Sequence, residues 1–328
     1  ISPTGSGKSL MIYAITRYHT EYKRSTLIIV PTTSLVEQMY KDFIDYSWDA
    51  DTYCHKIYAG KDLLSEKQVI ISTWQSIYKL PKTWFNRFDV VIGDEAHQFK
   101  SKSLVSIMTK LYDTKYRYGF TGTLDGTQTH KWVLEGLFGP SYKIINTKEL
   151  QEKGYLAKLS IKVLLLKHDP TTFDTYQDEI EYLIGHEKRN KFIRNLVWDL
   201  KGNTLLLYSR VATHGQVLYD IINKVERKIF FVHGGVDVEE RETVRRITEE
   251  EDNAIIIASF GTFSTGINIK NLHNVIFASP SKSRIRTLQS IGRVLRKSKD
   301  KINATLYDIA DDCKKGSKQN YTLNHLIE

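Results

Sequence analysis

The chain has 328 residues, of which 41% are hydrophobic and 26% are charged, and it carries a formal net charge of +9 at pH 7. These proportions exclude a disordered chain, and the longest apolar runs fall far short of the roughly 18 residues that a membrane-spanning helix needs. The two cysteines, Cys54 and Cys313, indicate neither a disulfide framework nor a zinc site. We therefore expect a protein of about two domains in the reducing cytoplasm (host cytoplasm if it is viral), with no membrane partner.

The positive charge is distributed over both halves of the chain. Residues 1–150 hold 19 Lys and Arg against 15 Asp and Glu, a balance of +4, and residues 151–328 hold 28 against 23, a balance of +5. A polyanion such as nucleic acid that lies across two domains would fit this distribution. Charge by itself indicates only non-specific association, so a function has to be sought in the motifs.

Short β-branched runs alternate with helical stretches throughout the chain, which is the pattern of a parallel sheet wrapped by helices. The runs are 26–30, 69–72, 90–93 and 117–120 in the first half, and 161–166, 204–208, 228–232, 254–259, 274–278 and 304–307 in the second. Chain breakers in residues 138–140 and a polar segment in residues 149–157 interrupt the pattern. We therefore predict two α/β domains, residues 1–150 and 151–328.

Residues 171–200 are charged and helix-forming. Their apolar residues are spaced to give one buried stripe and one solvated face. The stripe consists of Ile180, Leu183, Ile184, Phe192, Ile193, Leu196 and Val197.

Residues 3–9 match the core of a phosphate-binding loop, whose glycines allow backbone N–H groups to close around phosphate. Lys8 is predicted to reach the outer phosphates and to assist catalysis, and Ser9 to hold Mg²⁺. The strict motif has glycine where this chain has Ser2, so the match is to a variant of the loop. The predicted ATP-binding residues of the loop are Thr4, Gly5, Ser6, Gly7, Lys8 and Ser9.

An acidic pair, Asp94 and Glu95, directly follows the apolar run 90–92. The carboxyl end of a strand is where open α/β sheets bind ligands. Asp94 is predicted to bind Mg²⁺ and the nucleotide, and Glu95 to orient and deprotonate the attacking water. A surface loop with two ordinary acids is the alternative, and the phosphate loop argues against it.

The third motif is the segment 289–296, which contains Gln289, Arg293 and Arg296. Residues three apart share a helix face, so both arginines could point across a cleft at the γ-phosphate and stabilise the charge of the transition state. We predict catalytic roles for all three residues. The alternative is a basic amphipathic helix that binds nothing in particular.

The order of these three motifs resembles that of the superfamily 2 helicases, and the resemblance covers nearly the whole chain. It implies two tandem RecA-like domains, each a parallel sheet flanked by helices: an ATP-binding domain truncated at its N-terminus and a C-terminal helicase domain. The intervening family motifs also have counterparts here. Motifs Ia, Ib, III, IV and V resemble residues 30–35, 72–75, 121–123, 208–210 and 258–268.

The resemblance also implies roles for further residues. Gly266 and Asn268 would approach the nucleotide, although relatives often have Asp at the second position. Thr121 and Thr123, with His97 as partner, would couple hydrolysis to movement, whereas a simple tight turn is the alternative. The predicted contacts to the DNA backbone, which could instead be ordinary helix caps, are Thr32, Thr73, Gln75, Arg210 and Thr262.

Within the superfamily, Asp-Glu-Ala-His together with residues 119–124 resembles the branch of XPB-like and restriction-type DNA motors. A phage member of this branch implies a helicase that regresses forks, migrates Holliday junctions, and unwinds D-loops and RNA–DNA hybrids. Its expected partner is branched or single-stranded-gapped DNA. We also expect a small upstream DNA-binding domain and the adenine contacts to lie outside this chain. An RNA helicase, a duplex translocase and a nucleotide-gated nucleic-acid-binding scaffold stay open as alternatives.

Overall fold

The structure is a computed structural model that describes residues 1–3, 5–58, 62–124, 126–266, 269–280, 287–288, 290–292, 295, 301, 303–314 and 320–326. The chain divides into two compact units, Ile1–Glu149 and Leu150–Glu328. No helix in these residues is long and apolar enough to cross a membrane.

The first unit is built on a parallel sheet whose described strands are β1 (Thr26–Val30), β2 (Cys54–Ile57), β3 (Val69–Thr73), β4 (Val90–Asp94) and β5 (Tyr116–Phe120). Their order across the sheet is β2-β3-β1-β4-β5. The strands β1 and β3 are buried along their whole length, as expected where helices cover both faces of a sheet. Alternate residues of β1 enter two cores: Ile28 and Val30 face one, and Leu27 and Ile29 face the other.

The helices of the first unit alternate with the strands along the chain, and the larger ones lie on the two sides of the sheet. They are α1 (Lys8–Glu21), α2 (Thr33–Asp45), α3 (Ala50–Tyr53), α4 (Trp74–Ile77), α5 (Lys82–Phe85), α6 (Lys102–Lys110) and α7 (Gln128–Phe138), with a 3₁₀ helix at Ala96–Lys100. A further helix, α8 (Thr147–Glu152), spans the boundary between the units. The α1 and α2 side chains pack in the core that contains Ile28, whereas α6 and α7 pack in the core that contains Leu27.

The second unit has a parallel sheet of β6 (Lys158–Lys167), β7 (Thr204–Tyr208), β8 (Ile229–Val232), β9 (Ile255–Ser259), β10 (Asn274–Phe277) and β11 (Asn303–Asp312). Their order is β6-β11-β10-β7-β9-β8 in the described residues. The helices are α9 (Tyr176–Gly185), α10 (Glu187–Asp199), α11 (Gln216–Ile222), α12 (Val238–Glu250) and α13 (Phe260–Gly266). A π-helical turn at Val211–Gly215 and a 3₁₀ helix at Leu323–Leu326 complete the described elements.

The predicted fold class is confirmed: every predicted β-branched run lies on a strand of a parallel sheet. The sequence did not predict β2, because it is an edge strand of mixed polarity with only its two end residues buried. The predicted helical segment 171–200 forms two helices, α9 and α10, which are separated at His186. Of the predicted stripe, Ile180, Leu183, Ile184, Ile193 and Val197 are buried.

A buried ionic cluster holds α10 to β11 in the second unit. The Arg189 guanidinium donates two hydrogen bonds to the Asp311 carboxylate, 2.8 Å to Oδ1 and 2.9 Å to Oδ2, and His168 Nε2 lies 2.8 Å from Oδ1. Burial acts to raise the pKa of Asp311, but Arg189 and His168 together hold this pKa below its usual value. Nearby, burial lowers the pKa of the His214 imidazole to about 3.

From the pKa values of Asp311 and His214 we expect the free energy of unfolding of the second unit to fall in acid. Because the pKa values of Asp311 and His214 are lowered by folding, the unfolded chain binds protons more readily than the folded chain as the pH falls. For His214 the loss extends from its ordinary pKa of 6.5 down to about 3. Its expected slope is about 1.4 kcal/mol per pH unit. Urea denaturation at a series of pH values measures the slope, and His214→Gln should flatten it; an unchanged slope in that variant would contradict the assignment.

Candidate nucleotide-binding site

The predicted phosphate loop adopts a conformation that depends on its glycines. Gly5 and Gly7 have φ angles of 83° and 84°, in the left-handed region that side chains other than glycine rarely occupy. Gly7 is also the N-cap of α1, so the free N–H groups of the first turn lie at the loop. Thr4 lies outside the described residues. The arrangement is that of a helix N-terminus that can bind phosphate.

Backbone hydrogen bonds connect the loop to the end of β5. The buried Ser2, which replaces the glycine of the strict motif, donates its N–H to the Thr121 carbonyl at 2.9 Å. Its own carbonyl accepts a long hydrogen bond of 3.4 Å from Lys8 Nζ. The Ser6 hydroxyl donates to the Pro3 carbonyl at 2.6 Å. The phosphate loop is therefore fixed to the turn at 121–123 that the sequence predicted to be a coupling motif.

The predicted acidic pair lies at the carboxyl end of a central strand. Asp94 is the last residue of β4, and its Oδ1 accepts a hydrogen bond of 2.9 Å from the Glu95 N–H. Glu95 has φ 50° and ψ 49°, and in the described residues only Lys23 and Ser47 share a positive φ among non-glycine residues. Such a conformation costs about 1–3 kcal/mol and persists where the surroundings impose it, often at functional sites.

The electrostatics of the pair fit a bound cation. Burial, and then the charge of Glu95, raise the pKa of Asp94 to about 6, while Lys8 and His97 oppose the rise. A divalent cation beside Asp94 would favour its ionised form. The other predicted ligand is the Ser9 hydroxyl, which lies 3.3 Å from the Tyr46 hydroxyl. A carboxylate and a hydroxyl are oxygen ligands of the kind that fit Mg²⁺, which binds few protein ligands together with phosphate and water.

His97 connects the acidic pair to the turn after β5. Its Nδ1 lies 3.3 Å from Glu95 Oε2 and 3.1 Å from Thr121 Oγ1. Thr121 donates the hydrogen bond of its hydroxyl to the Thr123 carbonyl at 2.8 Å, so towards His97 its oxygen can only accept a hydrogen bond. We therefore assign the proton of the buried imidazole to Nδ1, from where it can be shared between Thr121 and Glu95.

The predicted nucleic-acid contacts of the first unit differ in accessibility. Thr32 caps α2, since its hydroxyl accepts a hydrogen bond of 3.4 Å from the Leu35 N–H. Thr73 is buried, and its hydroxyl pairs with that of Ser76 at 2.9 Å. The exposed Gln75 donates from Nε2 to the Pro31 carbonyl at 3.3 Å. Of these three predicted side chains, Gln75 is the most accessible to a strand.

The second unit shows a similar contrast. The Thr262 side chain is buried in α13 and its hydroxyl pairs with that of Ser259 at 2.8 Å. Arg210 is partly exposed and forms an ion pair with Glu181, with 3.5 Å between Nη1 and Oε1. Gly266 ends α13. Four further predicted site residues lie outside the described part of the chain, namely Asn268, Gln289, Arg293 and Arg296.

A cavity of about 580 Å³ lies beside β5 and borders the phosphate loop at Ser2 and the following turn at Thr121. Its walls include Met11 and Ile15 of α1 and Leu134 of α7. The described residues that line the cavity do not include Lys8 or the acidic pair. The cavity is therefore not where phosphates or their cation would lie.

Two contacts of the site were absent from the sequence motifs. The His130 imidazole of α7 lies with Nε2 2.8 Å from the His97 carbonyl oxygen. Tyr46, at the end of α2, reaches Ser9 across 37 residues of sequence. Neither residue stands in a recognisable spacing to a motif, because the tertiary fold alone brings the partners together.

A phosphate loop at a helix N-terminus, with an acidic pair at the end of a neighbouring parallel strand, defines a P-loop nucleoside triphosphatase. Two family models match the chain: type III restriction enzyme, res subunit, over residues 1–126, and helicase conserved C-terminal domain, over residues 187–298. The ATP-dependent DNA helicase UvsW of Enterobacteria phage T4 is 37% identical over 99% of this chain and 69% of its own length.

Other similar proteins are more distant. The DNA 3'-5' translocase XPB2 of Sulfurisphaera tokodaii is 26% identical over 92% of this chain and 75% of its own length. The solved structure of S. cerevisiae Dbp5 bound to RNA and ADP BeF3 has a TM-score of 0.64 at 14% identity, covering 99% of this chain and 81% of the other. That of the restriction-modification enzyme LlaBIII bound to DNA has a TM-score of 0.71 at 15% identity, covering 100% and 27%.

The chain belongs to the superfamily 2 helicases, in the family of phage T4 UvsW. It is an ATP-dependent helicase that binds nucleic acid, and the prediction of two tandem RecA-like folds is confirmed.

Proposed function

We propose that this helicase acts on branched DNA in recombination, repair and replication: it regresses forks, migrates Holliday junctions, and unwinds D-loops and R-loops. The observation that carries the proposal is the 37% identity, over 99% of the chain, with a relative described as a DNA helicase. The basic excess in both halves of the sequence supports a long polyanionic partner. The partner is branched or single-stranded-gapped DNA, and RNA–DNA hybrids are further substrates.

In the proposed ATP site, the amides of the loop and Lys8 bind the phosphates. Ser9 and Asp94 would hold Mg²⁺, which would neutralise charge on the phosphate oxygens. Glu95 orients the attacking water and accepts its proton. From the sequence alone, Gln289, Arg293 and Arg296 complete the catalytic set.

The proposed coupling path runs from Glu95 through His97 to Thr121. The support is the 3.3 Å and 3.1 Å contacts of His97 Nδ1, together with the Thr121 carbonyl that accepts from Ser2 of the phosphate loop. A shift of the turn at 121–123 would therefore alter both the loop and the position of the Glu95 carboxylate.

For nucleic-acid binding we expect Arg210 to contribute through its charge. Arg210→Gln should weaken binding uniformly across sequences and reduce the slope of log affinity against log salt by about 1. Fluorescence anisotropy over a salt series measures the slope. Arg245→Gln is the matched control, because Arg245 is similarly exposed and paired with Glu242 and Glu249 in the same unit. Equal slopes for native protein and the Arg210 variant would remove Arg210 from the proposed contacts.

The substrate class is tested by the ATPase rate without nucleic acid and with fork DNA, linear duplex DNA and duplex RNA, with Lys8→Ala as the blank. Strong stimulation by fork DNA is the expected result. Stimulation only by RNA would assign the chain to the RNA helicases, and equal stimulation by linear duplex would indicate a duplex translocase. No stimulation by any of them would favour a nucleotide-gated scaffold.

A further inference from the structure

His130 makes a buried hydrogen bond to the backbone of the acidic motif. The side chain is only 4% exposed, and its Nε2 lies 2.8 Å from the His97 carbonyl oxygen. Because a carbonyl only accepts, His130 must be the donor and must carry a proton on Nε2. The bond joins residues 33 positions apart, one on α7 and the other on the 3₁₀ helix at Ala96–Lys100.

The helix that carries His130 has a capped first turn and a last residue that packs against the acidic motif's 3₁₀ helix. Its first turn is capped by Thr127, whose hydroxyl accepts from the His130 N–H at 3.4 Å. At its last residue, the Phe138 ring packs edge-on against the Phe99 ring, with 5.0 Å between centroids. A methyl group added at Gly93 would lie only 2.9 Å from the Phe138 ring, so this ring packs closely against the backbone of β4.

The position of the His97 ring depends on its own backbone. Glu95 precedes it in a left-handed conformation, and the short 3₁₀ turn that follows offers few hydrogen bonds of its own. The bond from His130 to the His97 carbonyl fixes this turn from outside. With the turn fixed, the His97 imidazole stays within 3.3 Å of Glu95 and 3.1 Å of Thr121 at the same time.

We infer that His130 is a positioning residue for ATP hydrolysis, which holds the His97 backbone so that its imidazole connects Glu95 to Thr121. The inference rests on the proposed roles of Glu95 and Thr121. His130 does not touch the reacting atoms and acts through His97. Through His130, the helix α7 would therefore hold the acidic motif at a fixed distance from the turn at 121–123.

The inference is tested with two variants of His130 whose side-chain amides differ in length. In His130→Gln, the side-chain amide extends to the same distance as Nε2 and can donate to the His97 carbonyl, whereas the shorter amide of His130→Asn cannot. We expect His130→Asn to lower the nucleic-acid-stimulated kcat about tenfold, with less than about a twofold change in KM for ATP. We expect His130→Gln to stay within about twofold of the native rate. Equal rates for the two variants would overturn the inference.

A matched control separates positioning from general loss of structure. His19 is also buried in the first unit and is hydrogen-bonded, with Nε2 3.1 Å from the Tyr118 hydroxyl. His19→Asn should lower the melting temperature about as much as His130→Asn while leaving kcat near the native value. If His19→Asn and His130→Asn lost kcat equally, the role of His130 would be structural only.

A double-variant cycle tests whether His130 acts through His97. In a His97→Ala background, His130→Asn should have little further effect on kcat, because the imidazole that it positions is gone. If the double variant instead lost kcat by the product of the two single-variant factors, the inference would be overturned. The proposed function is judged separately: if Glu95→Gln retained native turnover, the assigned site would be wrong whatever the His130 variants showed.

Discussion

Replacing Glu95 with glutamine is expected to lower ATP turnover by about a thousandfold while ATP and DNA affinities change little. Glutamine has the shape of glutamate but cannot accept the proton of the attacking water. The left-handed backbone at this position and the contact of the carboxylate with His97 support a placement that serves chemistry rather than packing. Phosphate release under single-turnover conditions and equilibrium binding of ATP and fork DNA measure the two quantities.

Two comparisons make the Glu95 result specific. Glu21→Gln is the control, because Glu21 is an exposed acid of the same unit that pairs with Arg17 at 3.4 Å and should leave turnover unchanged. Lys8→Ala should have a different effect, since it removes the charge that we propose to bind the outer phosphates and should therefore weaken ATP binding as well. Native turnover in Glu95→Gln would reject the role assigned to this carboxylate.

The second large effect is expected on stability. Arg189→Met should destabilise the second unit by about 3–5 kcal/mol, because it leaves the buried Asp311 carboxylate without the guanidinium that donates two hydrogen bonds to it. Both side chains are about 1% exposed, so water cannot replace the lost hydrogen bonds without opening the structure. Urea denaturation measures the loss, and hydrogen exchange of the β10 and β11 amides locates it.

The double variant Arg189→Met with Asp311→Asn provides the check. It removes both charges and keeps an oxygen that can accept from His168, 2.8 Å away in the native protein. More than half of the lost stability should return, since a buried pair contributes far less than the cost of breaking it. If the double variant is as unstable as Arg189→Met alone, the uncompensated charge is not the cause.

The sequence by itself determined the fold class and the order of the chemical groups. The strand Thr26–Val30 is almost entirely apolar because it is buried on both faces of the parallel sheet, and its composition alone reflects this burial. The phosphate loop is recognised from equally local pattern, since Gly5, Gly7 and the helix that starts at Lys8 are adjacent in the chain. Local pattern is therefore sufficient to predict that Lys8, Asp94 and Glu95 belong to one site.

The tertiary structure alone decided which of these groups touch. Ser2 meets Thr121 and Arg189 meets Asp311 over more than a hundred residues, and no periodicity encodes such pairs. The tertiary structure also shows that Gln75 and Arg210 are accessible, whereas the hydroxyls of Thr73 and Thr262 are buried. Sequence cannot make this distinction, because a buried threonine and a solvent-facing helix cap are the same residue type. The reason is physical: backbone conformation and burial patterns follow from neighbouring residues, whereas hydrogen-bond partners and the accessibility of a side chain depend on how distant elements pack.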